Sequence, residues 1–328
     1  MSATALVRIV VMVPGVHSGD MDAARARWRD QGIQRFLDSV PTWALFLIAG
    51  LWTIPSAGFV VSSLRRWPQQ EQGWWTSLGD TSTWTLDGYR AALSVSINNS
   101  FAEAMFNSLA IAVAATVIPL LFGSWAAYAV AWMPLRRRTT IFFALVVLMA
   151  LPVQVALIPL LQVYAGGAHV TVPLLGRTVT VFPDLGLAGE LPAVWLTLIG
   201  FALPFTIFLL TVTMMRLPRG VIDAARTDGA SHAQVFWHVV VPLSKPTIAG
   251  LAVLLFLWGW NEYLVPLTMI GGGNPSALPA TVRLVAYSVP TGGPGVIAGA
   301  CLHSAVAIAV FAVLERQFSR ALVMSVEY

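Results

Sequence analysis

Few side chains in this sequence could carry chemistry, and the densest group of them lies between residues 221 and 242. That stretch reads VIDAARTDGASHAQVFWHVVVP and holds two aspartates and two histidines. A metal centre or an acid–base enzyme needs such groups within reach of one another. Asp223 and Asp228 have no histidine at metal-ligand spacing, and His232 and His238 fall on different faces of a helix. The stretch therefore predicts neither a catalytic centre nor a resident metal.

Three further polar side chains, Gln154, Asn261 and Glu262, stand inside long apolar runs. An ionised carboxylate in lipid costs about 3 kcal/mol or more, so Glu262 should face the protein interior beside Asn261. Two interpretations stay open for it: a hydrogen-bonded structural residue near the outer end of its helix, or a group that lines a transport pathway. The same two interpretations stay open for Gln154. His303 is expected to be a packed, hydrogen-bonded helix residue.

The composition places most of the chain in lipid. Of 328 residues, 57% are hydrophobic and 10% are charged, and the mean hydropathy is +0.75. A soluble domain carries about 25% charged residues. The net charge of +4 comes from basic residues that form no single patch, so nucleic acid is not an expected partner. The single cysteine excludes an intrachain disulfide.

Six apolar stretches are long enough to cross a bilayer, which needs about 20 residues. They cover residues 42–61, 104–135, 139–168, 191–215, 247–270 and 284–314. We therefore expect an all-α membrane protein with six transmembrane helices. Prolines inside these stretches indicate kinked or broken helices of the kind transporters have, although channels and membrane enzymes also use kinks. They are Pro119, Pro152, Pro159, Pro204 and Pro266.

The basic residues predict the orientation, because loops rich in Lys and Arg stay in the cytoplasm. Fourteen of the 19 lie in the two termini and in the loops on their side of the membrane. The expected division is a cytoplasmic tail at 1–41, a first span at 42–61 and an external segment at 62–103. A core at 104–315 follows, with a cytoplasmic loop at 216–246, and a cytoplasmic tail at 316–328 ends the chain.

The external segment carries Trp67, Trp74, Trp75 and Trp84. Tryptophans just outside a span commonly form a belt at the lipid headgroups, and this interpretation covers Trp67. The rest of the segment is long enough to form a small external cap that touches an extracytoplasmic partner. Both interpretations stay open.

The cytoplasmic loop has the pattern of two short helices joined by a glycine turn. Pro218 and Gly229 bracket the first helix, over residues 218–228. Ser231 and Gln234 form a capping-box pattern that starts the second helix, and Pro242 is expected to stop it.

Three interpretations compete for this helix pair. The first is a DNA-binding helix-turn-helix. Residues 231–243 contain no Lys or Arg, so the second helix cannot bind DNA phosphates. Phe236, Val239 and Val240 share one apolar face. That face suits either an amphipathic helix resting on the membrane or a knob that fills a groove on a cytoplasmic partner.

The segment DAARTDGASHAQVFWHVVVPLSKP resembles the EAA loop of binding-protein-dependent ABC importer permeases. Asp223 stands where that loop usually has Glu, which keeps the charge on a shorter arm. Further likeness to the second permease of maltose-type sugar importers lies in LDGYRAAL (86–93), FNSLAIAVAAT (106–116), AAYAVAWM (126–133), LPVQVALIPL (151–160) and WNEYLVPL (260–267). The matching loop positions are Asp223, Ala224, Ala225, Asp228, Gly229, Ala230, Phe236 and Pro242.

The resemblance implies a type I ABC importer permease fold in the bacterial inner membrane, with both termini cytoplasmic. It implies a pore shared with a sister permease, two cytoplasmic ATPase subunits that dock on the eight loop residues, and an extracytoplasmic binding protein that delivers a sugar. The expected sugar is an oligosaccharide or glycoside. The external segment with Trp74-Trp75 favours an importer of the α-glucoside type.

The chain has no GxxxxGK[ST] loop, so ATP and Mg²⁺ belong to the partner and this subunit is expected to bind no cofactor and catalyse no reaction. The alternatives are a passive channel or membrane scaffold subunit, or a polytopic membrane enzyme.

Overall fold

The computed structural model of the chain describes residues 41–66, 73–76, 78–94, 101–172, 177–271, 274–288 and 295–327. Apart from Pro41, the predicted N-terminal tail lies outside these ranges, and so does Trp67. The chain forms two compact units, one of residues 1–85 with 322–328 and one of residues 86–321.

The smaller unit contains helix α1, Thr42–Ser63. Its 22 residues carry no charge and are about 33 Å long, enough to cross a bilayer. The chain after α1 folds back on itself: the Arg66 N–H donates to the Thr83 carbonyl at 2.9 Å and the Thr85 N–H to the Leu64 carbonyl at 2.7 Å.

A 3₁₀ turn, Thr81–Thr83, follows in this returning segment and is capped by Asp80. The carboxylate of Asp80 accepts hydrogen bonds from the hydroxyl and the backbone N–H of Ser82. These bonds favour the ionised form and hold the pKa of Asp80 below its usual range. The cap is therefore negatively charged at neutral pH.

The larger unit begins with helices α2 (Asp87–Leu93), α3 (Phe101–Trp132), α4 (Arg138–Met149) and α5 (Val153–Gly166). The apolar stretch at 139–168, predicted as one span whose prolines kink or break it, forms two helices: α4 and α5 are bent by 92° at a short break. Pro152 stands at that break with extended backbone. It lacks the N–H that would continue the helix and disfavours helical backbone in the residue before it.

A two-stranded antiparallel hairpin follows α5. Strands β1 (Ala168–Val172) and β2 (Arg177–Phe182) pair with Val170 opposite Val179. The chain enters the hairpin at Gly167, whose φ is +74°. A Cβ there would lie 2.5 Å from the carbonyl oxygen of Phe182, so this tight approach requires glycine. The sequence analysis did not predict the hairpin.

The second half of the unit contains helices α6 (Leu191–Met214), α7 (Arg219–Thr227) and α8 (His232–Val235). A π-helical turn, Phe236–Val240, leads from α8 into α9, Val241–Asn261. The prediction that Pro242 stops the second loop helix is wrong, since His232–Asn261 is one 30-residue helix. The Val241 N–H donates to the Phe236 carbonyl five residues back, and this wide turn accommodates Pro242 at the start of α9.

The chain ends with α10 (Leu264–Ile270), α11 (Ala280–Ser288) and α12 (Gly295–Glu327). The apolar stretch at 247–270 is therefore divided between α9 and α10 rather than forming one helix, and the stretch at 284–314 includes residues of both α11 and α12. At the first division Glu262 has extended backbone, with φ −67° and ψ 128°. The tail predicted at 316–328 continues α12 as far as Glu327.

In the part of the chain that the structure describes, five helices are long and apolar enough to span a membrane, and the bent α4–α5 pair makes six when counted as one span. The predicted all-α, six-span class is confirmed in this form. Within the larger unit α3, α6 and α9 approach closely at small residues, as helices in lipid do. A Cβ on Gly123 would lie 2.6 Å from Thr206 Cγ2, and one on Gly259 would lie 3.2 Å from Ala112 Cα.

Candidate functional site

The two loop helices, α7 and α8, join through a turn that only glycine fits well. Gly229 has φ +86°, and the Ala230 N–H closes the turn on the Ala225 carbonyl at 3.1 Å. This is the bond pattern of a Schellman helix end. The predicted capping box is confirmed, because Ser231 accepts from the Gln234 N–H and the Gln234 side chain accepts from the Ser231 N–H.

One face of the helix pair is buried within the chain itself. Val235, Phe236 and Val240 are fully buried. The Phe236 ring lies 4.5 Å from the Trp125 ring and 5.5 Å from the Tyr128 ring, measured between centroids. Both partners belong to α3, so aromatic packing fixes the loop to the end of a membrane-spanning helix.

This packing corrects one expectation. The sequence analysis placed Phe236 on an apolar face that would meet either the membrane or a partner's groove, but its side chain has 0% exposure. Apolar residues at i, i+3, i+4 spacing identify a buried face without saying what buries it. Here the covering surface is α3 of the same chain, and Phe236 holds the loop in place.

A polar contact joins the same two elements. The Tyr128 hydroxyl lies 3.0 Å from His232 Nδ1. At the adjoining end of α6, Trp132 Nε1–H donates to the Met214 carbonyl at 3.2 Å. The sequence analysis gave His232 no role, because nothing local signals a contact between residues 104 positions apart.

The opposite face of the helix pair is exposed and polar. Asp223, Ala224, Asp228 and Gly229 are exposed on it, and among the described residues neither carboxylate has a side-chain partner. Pro242 is also exposed, while Ala225 and Ala230 are half-buried. A shallow cleft of about 350 Å³ opens here, lined by Asp228, Gly229, Ala230, Gln234, Val235, His238 and Val239.

Trp237 is a surface residue that the sequence analysis missed. Its side chain is 48% exposed, and its ring makes edge contacts with Phe236 at 5.0 Å and Trp125 at 6.0 Å. Its position next to Phe236 was the available signal, because adjacent helix positions point in directions about 100° apart. Trp237 is therefore an exposed tryptophan that packs against the buried ring of Phe236 and the partly exposed ring of Trp125.

The three polar residues suggested for a pathway lie at or beside two of the helix breaks. Glu262 Oε1 accepts from the N–H groups of Leu264 at 3.1 Å and Val265 at 3.2 Å, which caps α10. Its carbonyl accepts from the Thr281 hydroxyl at 2.8 Å. Asn261 is exposed and donates to the carbonyl of Leu257 in its own helix at 2.8 Å. Gln154 is exposed in the first turn of α5.

His303 is held differently from the prediction. It is 7% exposed, and its ring stacks on Trp260 with centroids 4.6 Å apart and planes 13° from parallel. Trp260 Nε1–H donates to the His303 carbonyl at 3.1 Å. Neither ring nitrogen has a hydrogen-bond partner among the residues that the structure describes, so stacking rather than hydrogen bonding positions the ring.

The comparison with known families covers this whole region. A family profile described as the inner membrane component of binding-protein-dependent transport systems matches residues 120–322. The chain belongs to this family. The resemblance read from the loop residues is thereby confirmed, and this binding-protein-dependent permease is a multi-pass inner-membrane protein.

Two relatives extend the similarity beyond the family profile. The permease is 39% identical over 286 residues to the osmoprotective compounds uptake permease protein GgtD of Synechocystis, a match that covers 84% of this chain and 88% of that protein. It is 40% identical over 242 residues to the alpha-glucoside transport system permease protein AglG of Rhizobium meliloti, covering 73% of this chain and 59% of that protein.

A solved structure shows the same fold. It is a bacterial ABC transporter involved in the import of the acidic polysaccharide alginate, and one of its chains superposes with a TM-score of 0.66 at 20% identity. The superposition covers 88% of this permease and 98% of that chain. The six-span permease fold is therefore that of an ABC importer.

Proposed function

We propose that this protein is one of two permease subunits of an ATP-driven importer. It forms with a sister permease the path for a sugar, an oligosaccharide or glycoside, that an extracytoplasmic binding protein delivers. Two cytoplasmic ATPase subunits bind ATP and Mg²⁺ and supply the work, and this chain is a transport subunit rather than an enzyme.

The observation that carries the proposal is the two-sided loop of residues 216–246. Its apolar face is fixed to α3 by Phe236, and its polar face leaves Asp223 and Asp228 exposed. A surface helix that merely rests on a membrane would turn its apolar face to lipid. This loop instead presents a polar surface with a cleft, which suits a soluble partner.

The loop also has a continuous mechanical connection to the membrane. The helix that begins at His232 continues through the π turn to Asn261 at the far end of α9. A partner that moves the exposed face therefore moves the start of a membrane-spanning helix. The Tyr128–His232 contact and the Phe236 packing carry the same movement to α3. In this proposal the ATPase changes the packing of α3 and α9, which opens and closes the path.

The class of substrate is supported by the relatives. One is named as an alpha-glucoside permease, and an alginate importer with this fold is also solved in complex with an alginate pentasaccharide-bound periplasmic protein. Glycerol-3-phosphate permeases are also similar, at 31% identity over 232 residues. A glucoside or related oligosaccharide fits these relatives best, and a small polyol derivative is the second candidate.

The test is uptake by proteoliposomes that contain this chain, the sister permease and the ATPase. With binding protein outside and ATP inside, we expect a labelled α-glucoside to accumulate against its gradient. Omission of the ATPase should reduce uptake to background, because no ATP-binding loop is present in this chain. Omission of the sister permease or of the binding protein should do the same, because in this proposal one completes the path and the other delivers the sugar. Labelled glycerol-3-phosphate is the matched alternative substrate. Sugar flux through this subunit alone would identify a passive channel instead.

A further inference from the structure

The smaller unit contains an aromatic structure that the transport proposal does not use. The indole of Trp74 lies against Gly58 of α1. A Cβ placed on Gly58 would come within 2.5 Å of Trp74 Cδ1 and 2.7 Å of Cε2. Glycine at this position therefore creates the notch in α1 that receives the ring.

A buried arginine holds the backbone on either side of this ring. Arg65 is 1% exposed, and its Nη1 donates to the carbonyls of Gly73 at 3.4 Å and Trp74 at 3.3 Å. Gly73 has φ +92°, which turns the chain toward α1. Trp75 makes an edge contact with Trp74 at 6.0 Å and an interplanar angle of 80°. These contacts fix the position of residues 73–75.

The position of the notch along α1 sets the depth of the two tryptophans. Gly58 lies five residues before Ser63, the last residue of α1, which is about 7.5 Å along the helix axis. Because α1 is about as long as the hydrocarbon core is thick, Trp74 lies at the level of the outermost acyl carbons. On the same part of α1, Ile54 and Val60 are 48% and 52% exposed. Exposed apolar surface at this depth suits contact with lipid.

We propose that Trp74 and Trp75 form an interfacial anchor that binds the lipid headgroup region at the Ser63 end of α1. Trp74 packs against Gly58 and holds the returning segment on α1. Trp75, whose side chain is 67% exposed, inserts its ring between lipids. Indole suits this zone because it has a large apolar surface and one N–H donor. The anchor fixes the depth and tilt of α1, independently of which sugar is transported.

The test measures the depth of residue 75 in the assembled transporter in phosphatidylcholine–phosphatidylglycerol vesicles. A nitroxide is attached to Trp75→Cys in a Cys301→Ala background, since Cys301 is the only cysteine. Collision rates with oxygen, which concentrates in lipid, and with a water-soluble nickel chelate give the depth. Gly79→Cys is the aqueous control because it has open space around it, and Val60→Cys is the lipid control.

We expect the oxygen-to-nickel ratio at residue 75 to exceed that at residue 79 by at least about threefold, as for a residue in the aromatic belt. Gly58→Ala should reduce the ratio at residue 75 toward that of residue 79, because the added Cβ displaces Trp74. Gly50→Ala, on the same helix with nothing within 4 Å, should leave it unchanged. Equal ratios at 75 and 79 would overturn the proposal. Protection from both reagents on addition of the binding protein would also overturn it, and would assign the tryptophans to that partner.

Discussion

Replacement of Phe236 by alanine is expected to uncouple ATP hydrolysis from sugar uptake. The side chain is wholly buried between Trp125 and Tyr128, and truncation of a buried phenylalanine costs about 3–5 kcal/mol. That is enough to release the loop from α3 while α8 remains continuous with α9. We expect uptake in proteoliposomes to fall by more than about tenfold, since 1.4 kcal/mol corresponds to a factor of ten, while the subunit still inserts and ATP is still hydrolysed.

The graded control for this variant is Tyr128→Phe. It removes the hydroxyl that contacts His232 and leaves the ring packed against Phe236. A net hydrogen bond contributes about 1 kcal/mol, so we expect a loss of uptake of about fivefold or less. Wild-type uptake by Phe236→Ala would show that the loop needs no attachment to α3, and the proposed route of coupling through that helix would be wrong.

Replacement of Gly229 by valine is the second change with a large expected effect. The φ of +86° is unfavourable for a residue with a Cβ by about 1–2 kcal/mol, and more for a β-branched one. No neighbour lies within 4 Å of the added Cβ, so strain in the turn is the only direct consequence. We expect α7 to rotate relative to α8, which moves Asp223 and Asp228 together relative to Gln234 and His238 on the other side of the turn. The measurement is the amount of ATPase that co-purifies with the permease.

Gly220 provides the matched control. It is an exposed glycine in α7 with nothing within 4 Å and helical backbone, where valine is slightly better than glycine. Gly220→Val should therefore retain the ATPase, and Gly229→Val should lose most of it. Equal retention by both variants would show that the geometry of the turn does not matter for the partner.

The apolar content and length of the spans could be predicted from the sequence, because burial in lipid demands long uncharged runs whatever their packing. Of the breaks in these runs, only the one at Pro152 could be predicted. Glu262 stands in an apolar run and was expected to face the protein interior from within one span, either as a hydrogen-bonded structural residue or as a group that lines a pathway. The structure ends the helix at Asn261, and the carboxylate caps the next one. A capping role depends on the backbone direction after residue 262, which composition does not determine.

Proline was informative at one position and misleading at another. Pro152 marks a real break between α4 and α5. Pro242 was expected to stop a helix, yet the preceding π turn lets the helix continue. Propensity rules describe regular α-helix, so they cannot anticipate a turn with a bond to the fifth residue back. The hairpin at 168–182 was predictable in principle, since the alternation of Val and Thr in RTVTVF is typical of a strand.

For the loop itself, the turn, the cap and the apolar face were all predicted from local signals. Which residues remain available to a partner was not. Phe236 is covered by α3, and Trp237 beside it is exposed. The difference depends on a contact between Phe236 and Trp125, more than a hundred positions apart in the chain. Local periodicity identifies an apolar face, and only the tertiary structure identifies what packs against that face.

The most direct test of the central claim is photo-crosslinking from the exposed face of the loop in the assembled transporter. A benzophenone side chain in place of Asp228 or Ala224 is predicted to form an adduct with the ATPase subunit, because both positions are exposed on that face. The same group at Leu185, which is 50% exposed, should form none, because cytoplasmic termini place the segment between the third and fourth predicted spans outside. Adducts with the ATPase at Leu185 but not at Asp228 or Ala224 would contradict both the orientation of the loop and its role as the docking site.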